Sequence, residues 1–270
     1  MPDDCITDVS PGHHVFTCDG YDFDVEIPAQ CIAGSCGLIV DVHGLTMDAD
    51  MQDANTTMRA LGAERGYVVV QPNAINSSWV PGVDDGPVHA FALRAASVLQ
   101  LDTNRLHFTG FSQGGAMSWR MLCDHADVYA SIAPAAMCTP TYSLAGCAEG
   151  TPSILYIHGR LDALVGYAGC AEPQRDAVLD AYGLEGEGDL LEESDGHRHR
   201  RWGGGDLPSV EMIDHDYAAA AAVLAGHCYP GSADLEGGLP GQVFPFACVE
   251  ANTFVYGETI IDFFDAHPKR

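Results

Sequence analysis

The chain is poor in basic residues: 12 Lys and Arg stand against 38 Asp and Glu, Lys269 is its only lysine, and the formal net charge is −26. A protein that binds nucleic acid by neutralising phosphates is excluded, since its own field would repel the polyanion. No apolar run approaches the roughly 18 residues of a membrane-spanning helix. The ten cysteines form no C-x-x-C pair at zinc spacing, and no repeat of solenoid period is visible. The start, from Met1 to Cys5, has neither a basic region nor an apolar core of the secretory type.

What is present is a chain of 270 residues, 47% hydrophobic and 19% charged, long enough to bury a large core as one domain over 1–270. An acidic surface of this kind suits a soluble monomer, from a halophilic source or a high-GC genome. Ten cysteines, an even number, read as disulfides formed in an oxidising compartment, hence as a mature secreted protein. Sequence proximity suggests Cys5 with Cys18, Cys31 with Cys36, Cys138 with Cys147, Cys228 with Cys248 and, at longer range, Cys123 with Cys170.

Residues 1–36 read as a lead-in carrying a hairpin, Val15–Cys18 and Tyr21–Ile27 around the turn Asp19-Gly20. Leu38–Val42 and Tyr67–Gln71 are near-continuous apolar runs, the pattern of strands buried on both faces. Helical spacing over Met51–Arg65, Val88–Leu101, Gln113–Cys123 and Asp176–Tyr182 alternates with strands at Leu106–Thr109 and Ser153–Ile157. Strands alternating with helices predict a mostly parallel sheet with helices on both faces. Residues 183–205, rich in Gly and acid and holding His197-Arg198-His199-Arg200-Arg201, read as a surface excursion. Thr253–Ala266 has helical spacing and is expected to pack back on the sheet.

Gly110-Phe111-Ser112-Gln113-Gly114 follows a strand and opens a helix, the context in which a G-x-S-x-G motif lifts a serine nucleophile above a sheet. Triad order on such a fold places an acid and then a histidine downstream. Asp162, in the loop after Ile157-His158-Gly159-Arg160-Leu161, stands where a carboxylate orients an imidazole. Upstream, Gly44 lets the backbone come close to substrate, so the Leu45 and Gln113 N–H groups are the expected oxyanion donors. His43 and Trp79 are the expected substrate contacts. His43 precedes the serine and reads as a hydrogen-bonding residue rather than a catalyst, and Trp79 reads equally as a half-buried core residue.

His197, His199, His215, His227 and His267 all follow Asp162. His267 lies near the terminus and the first two in the charged excursion. His215 stands between Asp214 and Asp216, which would keep it protonated, a poor state for a base. His227 follows Gly226 and is flanked by Cys228 and Pro230, which fix its loop.

The sequence resembles secreted α/β-hydrolase esterases, the group that includes polyhydroxybutyrate depolymerases and feruloyl and acetyl-xylan esterases. The resemblance runs from Leu38 to Gly231 through Asp41-Val42-His43-Gly44, Gly66–Pro72, Leu101–Arg105, Gly110–Gly115, Ala133–Ala136, His158–Asp162 and Gly226–Gly231. It implies the α/β-hydrolase fold, His227 as the catalytic base and a two-step hydrolysis of carboxylic esters without metal or organic cofactor. Two positions depart from the family's pattern: Gln113 stands where a small residue is usual, and Ala218–Ala222 precedes His227 where a β-branched strand is expected. A serine peptidase on the same fold, or a non-catalytic polymer-binding module, are the other classes open to such a chain.

Overall fold

The computed structural model describes residues 3–269 except 140–143, 145, 146, 148 and 250. Ten strands form one sheet in the order β1-β2-β4-β3-β5-β6-β7-β10-β9-β8. They are β1 (Gly12–Cys18), β2 (Tyr21–Ile27), β3 (Gly37–Val42), β4 (Tyr67–Asn73), β5 (Leu106–Phe111), β6 (Ser131–Ala135), β7 (Ser153–Gly159), β8 (Asp189–Ser194), β9 (His197–Gly203) and β10 (Ser209–His215). The six central strands, β4 to β10 in that order, run parallel, and an antiparallel hairpin extends each edge. Every residue of β3, β5 and β7 is buried, which is why apolar residues occupy both faces of these strands instead of alternating, with Asp41, His107, Thr109, Ser153 and His158 as buried polar exceptions.

Helices cover both faces, as the alternation predicts. Val88 and Phe91 of α3 (Asp85–Val98), Met117 and Trp119 of α4 (Gln113–Asp124) and Val178 of α5 (Glu172–Tyr182) belong to one core layer. Met51 of α1 (Ala49–Thr56), Met58 of α2 (Met58–Arg65) and Ile260 and Phe264 of α6 (Tyr256–Ala266) belong to the other. The helix expected over Met51–Arg65 is two: Thr57 adopts φ 52°, a left-handed conformation that ends α1, whose start is capped by Asp48 accepting from the Met51 N–H at 2.9 Å.

The excursion at 183–205 is not a loop. It folds as β8 and β9, and the charged run of β9 is a strand whose side chains find cross-strand partners: His199 with Glu211 at 2.7 Å and Arg198 with Asp214 at 3.2 Å. The last strand before His227 is β10 rather than the alanine-rich 218–222.

All ten cysteines are paired, and three of the expected bridges are present: Cys5–Cys18, Cys31–Cys36 and Cys228–Cys248. The other two differ, being Cys123–Cys147 and Cys138–Cys170. Sheet order explains the exchange. β6 lies beside β7, so Cys138, just past β6, meets Cys170, in the segment that follows β7, with Cα atoms 5.5 Å apart. Among the described residues no helix is long and apolar enough to cross a membrane.

Candidate active site

β5 ends at Phe111 and α4 begins at Gln113, so the whole change of direction falls on Ser112, which adopts φ 53° and ψ −115°. Non-glycine residues rarely hold such a conformation, and packing enforces it here. A Cβ on Gly110 would lie 2.5 Å from the Gly114 backbone, and one on Gly114 would lie 2.0 Å from the Val42 carbonyl oxygen. Glycine at both positions therefore lets α4 press against β3 and β5 and hold the serine at the helix N-terminus, where partial positive charge collects.

Asp162 lies just beyond the end of β7. Its Oδ1 accepts from the Leu164 and Val165 N–H groups at 2.9 and 2.8 Å, and its Oδ2 accepts from His227 Nδ1 at 2.7 Å. Both side chains are buried, 0% exposed for Asp162 and 2% for His227, so water does not compete for this bond. The loop is narrow at this point. A Cβ on Gly226 would lie 2.6 Å from the Asp162 nitrogen, and Gly226 N–H donates to the Leu161 carbonyl at 3.1 Å. Directly after the imidazole, Cys228 is tied to Cys248.

Ser112 and His227 line one cavity of about 220 Å³ whose other walls are Gly44, Leu45, Thr46, Met47, Phe111, Leu164, Val223, Leu224, Phe244 and Phe246. Thr46 is the one polar wall residue besides Ser112 and His227, and no charged residue lines the cavity. The Ser112 hydroxyl makes no hydrogen bond to a described residue. Gly44 is packed beside the serine, where an added Cβ would sit 3.2 Å from Ser112 Cβ. No described carbonyl accepts from the Leu45 or Gln113 N–H.

His43 and Trp79 are not brought to this cavity. Both are buried. His43 donates from Nδ1 to the Gly44 carbonyl at 2.7 Å and accepts from the Ala74 N–H at Nε2, and burial pushes its pKa down to about 4. Trp79 donates through its indole to the His43 carbonyl at 2.9 Å, while its own N–H is held by Gln113 Oε1 at 3.0 Å. The pair thus shapes the turn after β3 from behind, and the Gln113 side chain is spent on the Trp79 backbone, in the segment after β4, instead of occupying the cavity. His215 differs from expectation as well. Arg160 and Arg198 engage Asp214, Arg160 also engages Asp216, and burial pushes the His215 pKa down to about 3, so the ring is held neutral, and it does not line the cavity that holds Ser112.

Two features escaped sequence reasoning. His158, buried beside Asp162, has its Nε2 3.6 Å from Asp162 Oδ2 while donating to the Val165 carbonyl at 2.8 Å. Phe244 and Phe246 form a cavity wall from a segment with no helical or strand periodicity, and only their position just before Cys248 connected them with the His227 loop.

No family model matches the chain. It is 28% identical over 152 residues to a bifunctional acetylxylan esterase/xylanase of Neocallimastix patriciarum, covering 55% of this chain and 22% of that protein. It is 29% identical over 112 residues to feruloyl esterase D of Neurospora crassa, covering 40% of this chain and 37% of the relative. The chain thus matches less than half the length of these curated relatives. By structure it is similar to an acetyl xylan esterase from Aspergillus awamori, with a TM-score of 0.61 at 14% identity over 75% of this chain and 92% of that one.

Proposed function

From the premise that this chain is an α/β-hydrolase of the esterase type, we propose that it is a secreted serine esterase in which Ser112, His227 and Asp162 cleave carboxylic esters through an acyl-enzyme. The observation that carries the reading is the buried Asp162–His227 hydrogen bond of 2.7 Å at the wall of the cavity that Ser112 also lines. With Nδ1–H committed to the carboxylate, the neutral ring presents Nε2 as acceptor. Nε2 takes the Ser112 proton as the hydroxyl oxygen attacks the ester carbonyl. The Leu45 and Gln113 N–H groups, which have no described acceptor, receive the oxyanion. The imidazolium then protonates the departing alcohol. Water enters and loses a proton to the same nitrogen as its oxygen attacks the acyl carbon; the acyl–Oγ bond breaks, Ser112 recovers its proton from the imidazolium, and the acid leaves.

The apolar, uncharged cavity suits an uncharged acyl group. At about 220 Å³ it lies below the usual range for sites that enclose a whole ligand, so the acyl arm enters and the alcohol stays at the mouth. That geometry fits an ester carried on a chain too large to enter. An acetyl or feruloyl ester of plant polysaccharide is our substrate class, on the strength of the esterase relatives, ahead of an aliphatic polyester. Five disulfides favour an oxidising, extracellular setting.

The test is turnover of p-nitrophenyl acetate, methyl ferulate, acetylated xylan and polyhydroxybutyrate film by the wild type and by Ser112→Ala, together with fluorophosphonate labelling. Labelling of the wild type at Ser112 and loss of turnover in the variant by several orders of magnitude are expected. Residual activity above about one per cent would sink the mechanism.

A further inference from the structure

Behind the cavity runs a buried polar chain that the triad does not use. Tyr229, two residues after His227 and fully buried, donates its hydroxyl to Gln52 Oε1 on α1 at 2.6 Å. Gln52 Nε2 in turn donates to Asp41 Oδ1 on β3 at 2.6 Å. The other Asp41 oxygen accepts from Thr56 Oγ1 and Gln71 Nε2, both at 2.9 Å. Asp41 and Gln52 are wholly buried. The direction of the chain is set by chemistry: the Asp41 carboxylate accepts only, so Gln52 must turn its amide N–H₂ toward it and its oxygen toward Tyr229.

The Tyr229 ring is packed against the catalytic side. It stacks on Phe111 with centroids 4.0 Å apart, and the His227 ring leans on that same Phe111 at 4.8 Å. Phe111 is the residue before Ser112. One aromatic ring therefore supports both the base and the backbone of the nucleophile, and Tyr229 holds that ring from behind. Asp41 stands three residues before Gly44, so the same chain anchors the strand end that carries the expected oxyanion donor Leu45.

We propose that Tyr229, tethered through Gln52 to Asp41, is a positioning residue that fixes the Phe111 ring and through it the His227 imidazole relative to Ser112. The inference rests on the Ser112–His227–Asp162 reading above. Without the tether the ring still fills its space, but packing against Phe111 and Tyr256 alone then sets its depth and rotation. Misplacement of reacting groups by about 1 Å costs up to roughly 100-fold in rate.

The test compares the purified wild type with Tyr229→Phe and Ser232→Ala on p-nitrophenyl acetate. Tyr229→Phe deletes only the hydroxyl. Ser232→Ala deletes a comparable buried bond between the same loop and the same helix, Ser232 Oγ to Asn55 Oδ1 at 2.8 Å, three residues further on. For Tyr229→Phe we expect kcat to fall about 10- to 100-fold with KM within about twofold, and fluorophosphonate inactivation of Ser112 to slow in parallel. For Ser232→Ala we expect a lower Tm and an unchanged kcat. Should Tyr229→Phe fail to fold, Gln52→Met, which removes the acceptor from the other end, is expected to show the same loss. A kcat within twofold of wild type in Tyr229→Phe, or an equal loss in Ser232→Ala, overturns the inference while leaving the triad standing. A wild type without ester turnover overturns the triad reading and this one with it.

Discussion

Replacing Asp162 by Asn separates the orientation of the base from the presence of a side chain. Asn keeps the shape, and its Oδ1 still accepts from the Leu164 and Val165 N–H groups, which fixes the amide so that its N–H₂ faces His227 Nδ1. The contact that was 2.7 Å between an N–H and a carboxylate would become two donors facing each other. His227 escapes only by moving its proton to Nε2, and Nε2 then confronts Ser112 as a donor and cannot take the hydroxyl proton. Side-chain exposures of 0% and 2% leave no water to relieve the clash. By the same logic as the tautomer trap in serine proteases, kcat should fall about 10⁴-fold, some 5–6 kcal/mol of lost transition-state stabilisation. The assay is steady-state hydrolysis of p-nitrophenyl acetate, with near-ultraviolet circular dichroism to establish that the fold is kept. A folded Asp162→Asn retaining more than about one per cent of kcat would refute both the acid assignment and the tautomer argument.

His227→Ala should abolish turnover about as completely as Ser112→Ala, whereas His215→Ala should keep most of it and lower Tm; the opposite ranking in purified variants would move the base to His215. Acid stability should be governed by buried neutral imidazoles: burial lowers His43 to about 4 and His107 and His215 to about 3, so the unfolded chain binds protons there that the folded one does not. Stability should therefore decline as pH falls from about 6.5 toward 4, and His107→Phe should flatten that decline in denaturant titrations. Asp41 works in the opposite sense. Burial raises it to about 6, so its share of stability is greatest in acid and is lost as pH rises from about 4 to 6; in Asp41→Asn the acid decline should be steeper than in wild type.

The parts of the fold that sequence patterning predicts well are those where one physical rule acts alone. Leu38–Val42 and Tyr67–Gln71 are apolar but for Asp41 and Gln71 because both faces are covered, and the G-x-S-x-G glycines are where backbones touch. The parts that escape are decided by partners far away in the chain. The run His197–Arg201 reads as loop because its charges look unpaired until Glu211 and Asp214 on β10 come alongside. Thr57 ends a helix without glycine or proline to announce it. Cys138 and Cys170 meet only because β6 and β7 are neighbours. Trp79 and His43 carry residue types that suggest substrate contact, yet their polar atoms are spent on the backbone of the turn behind the cavity.

The Cys228–Cys248 bridge closes a ring of chain directly after His227, the proposed base. Phe244 and Phe246 lie inside the ring and wall the cavity, while His227 lies just outside it. Because the bridge fixes both ends of the ring, the entropic cost of a longer or shorter loop grows only slowly with length. Under the proposed mechanism, evolution or a protein engineer thus has an interchangeable cassette: residues between the two cysteines, away from Tyr229, are the ones to exchange to admit another acyl group without rebuilding the proposed proton-transfer machinery beside them.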